Sequence, residues 1–163
     1  MIKAVIFDLD GTLVDLPIAY KEMYGEFKRI MHLDNVRPLV KTVSKVDEET
    51  RSKVFNSWDR FELAVADRVT VKEEGMRIFR EHAEKPKALV TLQGRKIVEA
   101  TEKRLELAFD TVVTREDSLF RAEQLKIAAQ KLNVTIQDVL FVGNAKTDME
   151  AAKKVSCQFL KVK

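Results

Sequence analysis

Five short apolar runs rich in β-formers, separated by helical stretches, constrain the fold of this chain more than any other feature. They are residues 3–9 (KAVIFDL), 87–92 (KALVTL), 111–114 (TVVT), 139–143 (VLFVG) and 158–162 (QFLKV). Strands that are apolar almost throughout, with no in–out alternation, belong to parallel sheets covered on both faces, and interleaved helices supply the cover. The spacing predicts helices over about 94–107 and 119–132 and a shorter one over 148–155. In the second of these, Leu119, Leu125, Ala128, Ala129 and Leu132 share one inward face. The expected fold class is α/β, a Rossmann-like parallel sheet sandwiched by helices.

Residues 16–85 read differently, because their periodicity is almost wholly helical. Phe55, Trp58, Phe61 or Glu62, Val65 and Val69 recur at spacings of three and four. Thr70-Val71-Lys72-Glu73 fits a capping box opening a further helix. Asp34-Asn35 and Arg37-Pro38 divide the block into separate helices. The sheet begins, pauses, and resumes near Lys87. A chain of 163 residues holds one domain and a modest appendage. The expected organisation is a core of residues 1–15 and 86–163 with a small helical cap, residues 16–85, inserted into it. A single continuous α/β domain carrying extra helices gives the same pattern.

Composition narrows the function classes. Hydrophobic residues make up 45% of the chain, ordinary for a globular protein and too many for a disordered one. No apolar run approaches the roughly 18 residues of a membrane span. Met1 leads directly into a run that Asp8 cuts short, so no signal peptide is read. A single cysteine, Cys157, excludes an internal disulfide framework and a multi-cysteine zinc site, and a cytoplasmic location is expected. The net charge of +3 is spread without basic blocks, so no nucleic-acid or membrane partner is expected, and oligomeric state is not readable. Neither GxxxxGK[ST] nor GxGxxG occurs.

The chemistry is concentrated in Phe7-Asp8-Leu9-Asp10-Gly11-Thr12-Leu13-Val14-Asp15. Ligand sites of open α/β sheets form beyond the carboxyl ends of strands, and Asp8 and Asp10 lie at such an end. Two carboxylates at i and i+2 repel unless a cation or a shared proton intervenes, and a hard divalent cation such as Mg²⁺ answers that repulsion and attracts phosphate. A calcium loop is the competing reading of DxD with a nearby glycine. It requires Gly at its sixth position and Glu at its twelfth. Here Gly11 is fourth and Ala19 twelfth, after a strand rather than a helix.

This arrangement closely resembles motif one, DxDGT, of the haloacid dehalogenase superfamily. The resemblance implies that Asp8 is the nucleophile forming an aspartyl-phosphate. Asp10 is then the general acid for the leaving group and the base for water. Asp8 and the main-chain carbonyl of Asp10 would bind Mg²⁺. An acid at Asp10 also favours phosphoryl transfer over dehalogenation, since a leaving oxygen needs a proton donor. Ala88-Leu89-Val90-Thr91 is similar to motif two, which makes Thr91, with Leu92 after it, a phosphate-binding position; Gly94 marks a loop whose amides would assist. In the motif-three region, Thr114-Arg115-Glu116-Asp117-Ser118 fits the usual lead-in, but the Lys-Pro that follows in the family is missing. Arg121 is the best substitute for the lysine and Lys126 a poorer one; Arg121 reads equally as a solvated helix residue. Motif four is similar to Val139-Leu140-Phe141-Val142-Gly143-Asn144-Ala145-Lys146-Thr147-Asp148, with Asp148 at its second acid and Asn144 in place of the first. Both would be metal ligands by the resemblance, with one negative charge fewer than usual.

The resemblance spans nearly the whole chain and implies a Mg²⁺-dependent hydrolase. It would remove phosphate from a small phosphorylated metabolite through the aspartyl-phosphate, with a small type-one cap like that of phosphoglycolate phosphatase-like enzymes. A mutase shares these residues. A weakened relative that binds a phosphorylated ligand or a protein partner is the alternative that Asn144 and the missing lysine motivate. His32 and His82 read as surface residues, Cys157 as a small buried one, and Phe55, Trp58 and Phe61 as packing.

Overall fold

Every residue of β1 (Ala4–Phe7) is sealed from solvent, because β1 is the middle strand of five. The computed structural model describes residues 1–163. On one side β1 pairs with β4 (Lys87–Val90), which pairs with β5 (Thr111–Val113); on the other it pairs with β6 (Val139–Gly143), which pairs with β7 (Gln158–Lys161). All four pairings are parallel, as the unalternated apolar runs require.

The period of two divides β1 between two cores. Ala4 and Ile6 join Ala88, Val90, Val139 and Phe141 on one face. Val5 and Phe7 join Leu89 and Val142 on the other. Helices α6 (Arg121–Lys131) and α7 (Lys146–Lys154) cover the first face through Leu125, Ala128, Ala129, Ala151 and Ala152. Leu119 does not share their face, contrary to the helical reading. The chain is extended at Phe120, whose N–H donates to the Ser118 hydroxyl, so α6 starts at Arg121 and Leu119 packs into the opposite core. Helix α5 (Arg95–Leu105) lies on that second face with Ile97 and Val98.

Between β1 and β4 the chain forms β2 (Val14–Asp15), α1 (Tyr20–Met31), α2 (Leu39–Ser44), α3 (Glu48–Leu63), β3 (Thr70–Val71) and α4 (Glu73–Glu81). Helices α1 and α3 pack through Phe27 and Trp58, ring centroids 5.6 Å apart. Glu62, not Phe61, is the deeply buried member of the α3 stripe. The segment is also less uniformly helical than its period suggests. β2 and β3 pair antiparallel, Val14 with Val71 and Asp15 with Thr70, so the outgoing and returning chains meet as a two-stranded stem. That pairing holds Thr70 extended and overturns the capping box: α4 begins after Lys72 with no side-chain cap. α4 then packs Phe79 between Phe7 and Phe109, at 5.4 and 5.6 Å.

No helix is long and apolar enough to cross a membrane. Cys157 is buried just before β7, where its thiol donates to the Val139 carbonyl at 3.3 Å. Burial pushes the thiol up to about 11, so it stays protonated through neutral pH. Since the thiolate is the nucleophile, alkylation of the folded protein should be slow at pH 8. Its rate should climb roughly tenfold per pH unit toward that value. Iodoacetamide labelling followed by mass spectrometry across pH 7–10 measures this.

Candidate active site

Parallel strands present all their carboxyl ends at one edge, so the loops leaving β1, β4 and β6 converge there, with β1 at the point where the strand order reverses. Asp8 follows β1, Thr91 follows β4, Asn144 follows β6, and the first turns of α6 and α7 bring Arg121 and Asp148. Asp8 is almost fully buried. Its Oδ1 accepts from Arg121 Nη2 at 3.1 Å, and its Oδ2 accepts from the Thr12 hydroxyl at 3.3 Å. The same guanidinium reaches Asp148 Oδ1 through Nε at 3.1 Å and Gln124 Oε1 through Nη1 at 3.0 Å. Arg121, rather than Lys126, is therefore the cation of the site. Burial lifts the Asp8 carboxyl to about 7 against the pull of Arg121, and the neighbouring Asp148 and Asp10 charges lift it further.

Asp10 has different partners. Gly11, at φ 83°, turns the chain. A Cβ there would fall 2.3 Å from Asn144 Nδ2, so glycine is needed for space as well as for conformation. After this turn Asp10 accepts the Leu16 N–H at 2.9 Å on Oδ1 and the Tyr20 hydroxyl at 3.2 Å on Oδ2. The two carboxylates are thus separated by their hydrogen bonds: Asp8 is held by the core, Asp10 by the start of the insertion. Burial raises Asp10 above the usual carboxyl range, with the Leu16 and Tyr20 bonds opposing.

Asp148 is buried in the first turn of α7, where its Oδ2 accepts the main-chain N–H groups of Asn144 and Ala145 at 3.2 and 3.1 Å. It shapes the loop after β6 as well as facing Arg121. Asn144 Oδ1 accepts from the Thr12 hydroxyl at 3.3 Å, so Asp8 Oδ2 and Asn144 Oδ1 flank one hydroxyl. No group of three or more His, Cys, Asp and Glu side chains is placed to hold a metal. The side-chain oxygens that could hold a cation are instead mixed: the Asp8 and Asp148 carboxylates and the Asn144 amide. Beside an Asp8 carboxyl whose proton affinity burial raises, this set fits Mg²⁺, which takes one or two carboxylates and keeps several waters.

Thr91 is buried just after β4 and makes no hydrogen bond with Asp8 or Arg121. Its hydroxyl accepts the Gln93 N–H at 3.1 Å, which leaves its own proton to donate, and the Leu92 N–H has no partner in the chain. Gly94 differs from expectation: its N–H donates to the Glu62 carboxylate at 3.2 and 3.3 Å and is not free for an anion. Burial pushes Glu62 up to about 7 despite the Arg115 guanidinium beside it. Sequence reading had passed over Tyr20, whose contact depends on the turn at Gly11, and the buried trio of Asp59, Glu62 and Arg115. The only signal for that trio was an acid standing in phase with Phe55 and Trp58.

The profile of the haloacid dehalogenase-like hydrolase family matches residues 5–162. The chain belongs to this family. Among curated relatives of this hydrolase, a PpaX protein of Clostridium perfringens is 28% identical over 190 residues, covering 100% of this chain and 85% of the relative. The pyrophosphatase PpaX of Oceanobacillus iheyensis is 22% identical over 174 residues, covering 96% and 81%. In fold, the hydrolase is similar to a haloacid dehalogenase-like family protein of Streptococcus pneumoniae, with TM-score 0.72 and 19% identity, over 99% of this chain and 85% of that one.

The backbone that carries Asp8 and Asp10 is buttressed by α4 of the hydrolase. A Cβ on Gly75 would fall 1.8 Å from the Thr12 carbonyl oxygen, a contact that only main-chain movement relieves. Gly75→Ala should therefore lower stability by about 1–3 kcal/mol, the usual cost of overpacking. Urea denaturation against wild type checks it. An unchanged midpoint would show that the turn yields freely.

Proposed function

We propose that the chain is a Mg²⁺-dependent phosphatase that removes phosphate from a small phosphorylated metabolite through an aspartyl-phosphate on Asp8. One observation carries this reading: a buried carboxylate at the end of the central strand is paired with a guanidinium, and a second acid two residues on is held separately with its proton affinity raised. The names of the PpaX relatives are in keeping with phosphoryl transfer.

In this reading the Thr91 hydroxyl, the Leu92 N–H and Arg121 hold the phosphoryl oxygens, and Arg121 offsets the repulsion between the phosphate and Asp8. An Asp8 oxygen attacks phosphorus, and the bond from phosphorus to the leaving oxygen breaks. That oxygen takes the proton of Asp10, an acid whose proton affinity burial raises. Asp10, now ionised, accepts a proton from water as the water attacks phosphorus, and the bond to Asp8 breaks to restore its carboxylate. Mg²⁺ at Asp8, Asp148, Asn144 and the Asp10 main chain would supply positive charge to the phosphoryl oxygens and to the nucleophile. Residues 16–85 act as the cap: Tyr20, from α1, bonds Asp10 and covers the leaving-group side. The single unpaired cysteine accords with a reducing, cytoplasmic setting.

A second reading, a weakened relative that binds a phosphorylated ligand without turnover, is favoured by two features. Asn144 supplies no charge, and Arg121 already bridges Asp8 and Asp148.

Hydrolysis of an aryl phosphate in Mg²⁺ separates the readings. Asp8→Asn should lower kcat at least about a thousandfold with an unchanged circular dichroism spectrum, because the nucleophile is lost. A variant that keeps its rate refutes the assignment, and a wild type that binds phosphate with Mg²⁺ but never turns over favours the second reading. Asn144→Asp adds a third carboxylate, beside Asp8 and Asp148, to the side chains proposed to hold Mg²⁺ and should tighten it about tenfold, since cation affinity follows ligand charge. A Mg²⁺ titration by calorimetry measures that shift.

A further inference from the structure

The insertion meets the core through a group of charges that the proposed phosphoryl transfer does not use. Arg115, just beyond β5, and Glu62, near the end of α3, are both fully buried. Arg115 Nη1 donates to Glu62 Oε2 at 2.8 Å and to the Leu92 carbonyl at 3.1 Å. Its Nη2 donates to Asp59, and the guanidinium stacks 4.4 Å from the Trp58 ring centre. Glu62 in turn takes the Gly94 N–H, at the N-terminus of α5, where the helix dipole favours an anion. A Cβ on Gly94 would fall 2.4 Å from Asp59 Oδ1 and 2.6 Å from Arg115 Nη2, so the main chain is drawn tightly onto these charges.

Segment 92–94 is thereby gripped at both ends, Leu92 by its carbonyl and Gly94 by its N–H. The free Leu92 N–H and the Thr91 hydroxyl lie immediately before it. Stability alone is a weak reason for such a cluster, because buried ion pairs are commonly replaced by apolar side chains at no loss. A fixed loop is a better one: a loop aimed at phosphate loses function with small displacements.

We propose that Glu62 and Arg115 are positioning residues for the phosphate-binding loop, so that a side chain of the inserted segment sets the aim of Thr91 and Leu92 in the core. The proposal rests on the phosphatase reading for the role of that loop, but its test does not need turnover. A Glu62→Met/Arg115→Met protein that also carries Asp59→Asn removes the charges of the cluster together, leaves no acid without its guanidinium, and should fold. Its affinity for inorganic phosphate, measured by calorimetry, should fall about 10–100-fold, the order that a small misplacement of a binding group costs. KM for an aryl phosphate should rise in parallel, with a smaller change in kcat, and amide exchange at Gly94 should lose its protection. Glu62→Gln retains an acceptor for Gly94 and should stay within about threefold of wild type. A mere latch predicts lost stability in the Met pair with phosphate affinity and KM unchanged. Arg115→Lys keeps the charge but not the fork that spans Glu62 and Leu92, and should weaken phosphate about tenfold whether or not the Met pair folds. Wild-type phosphate affinity in either the folded Met pair or Arg115→Lys overturns the proposal, as does a wild type that binds no phosphate. A wild type that binds phosphate without hydrolysing aryl phosphate strikes the phosphatase reading alone.

Discussion

A carboxylate at the end of a strand with no access to water on either face is an unstable arrangement unless its surroundings supply charge or protons. Asp8 stands in that position, and much of the site answers its cost. Arg121 supplies a permanent charge, Thr12 a hydroxyl, and the raised pKa a proton when neither suffices. The placement is a consequence of topology: a parallel sheet with β1 at its centre offers one crevice, and the first residue beyond β1 must enter it. Asp148 serves the same end from the other side of Arg121. By taking two main-chain N–H groups it also fixes the loop that presents Asn144.

The insertion is attached to this core in two unlike ways. At its base, β2 and β3 pair main chain to main chain, and the Lys72 N–H donates to the Leu13 carbonyl at 2.9 Å. Gly75 lets α4 approach the same turn without a side chain between them. Away from the base the contact is ionic and buried, Arg115 against Asp59 and Glu62. Main-chain pairing tolerates twisting, whereas a guanidinium stacked on Trp58 and shared between two acids has one favourable geometry. The ionic contact therefore constrains the insertion's side chains more narrowly than the main-chain pairing at its base does.

Much of the sheet and most of the site were legible in the sequence because they depend on local pattern. The β6 run 139–143 is found to the residue, and the acids of Phe7-Asp8-Leu9-Asp10 lie where a strand followed by Asp-Gly must put them. What was not legible depends on contacts between distant segments. Thr70 has the composition of a helix cap, but pairing with Asp15 decides its conformation. Leu119 fits the α6 period and fails it because the chain is still extended at Phe120. Glu62 looked interchangeable with Phe61 until a cation 53 residues away claimed it. Gly94 carried an ordinary anion-loop signal, yet its amide is taken by that same glutamate. Period and motif find which face is buried; they do not say what a buried charge will meet.

The two departures from the family pattern are connected by charge. Asp8, Asp10 and Asp148 against Arg121 leave a formal balance of minus two when all are ionised. One divalent cation, under the proposed function, brings that to zero before phosphate arrives. An acid at position 144 would bring the set to minus three, and the Asn144 amide avoids it while still offering an oxygen. Arginine at 121 fits the same economy of charge. A lysine places one compact ammonium near one acid at a time, whereas the guanidinium touches Asp8, Asp148 and Gln124 together. Under the proposed function, a site with fewer acids to hold a cation and a broader guanidinium among them places more of the phosphate's neutralisation on protein side chains than a four-acid site would. On the same reading the orientation of the Thr91 hydroxyl and the Leu92 N–H matters more, and the segment that follows them is the one the buried charges grip.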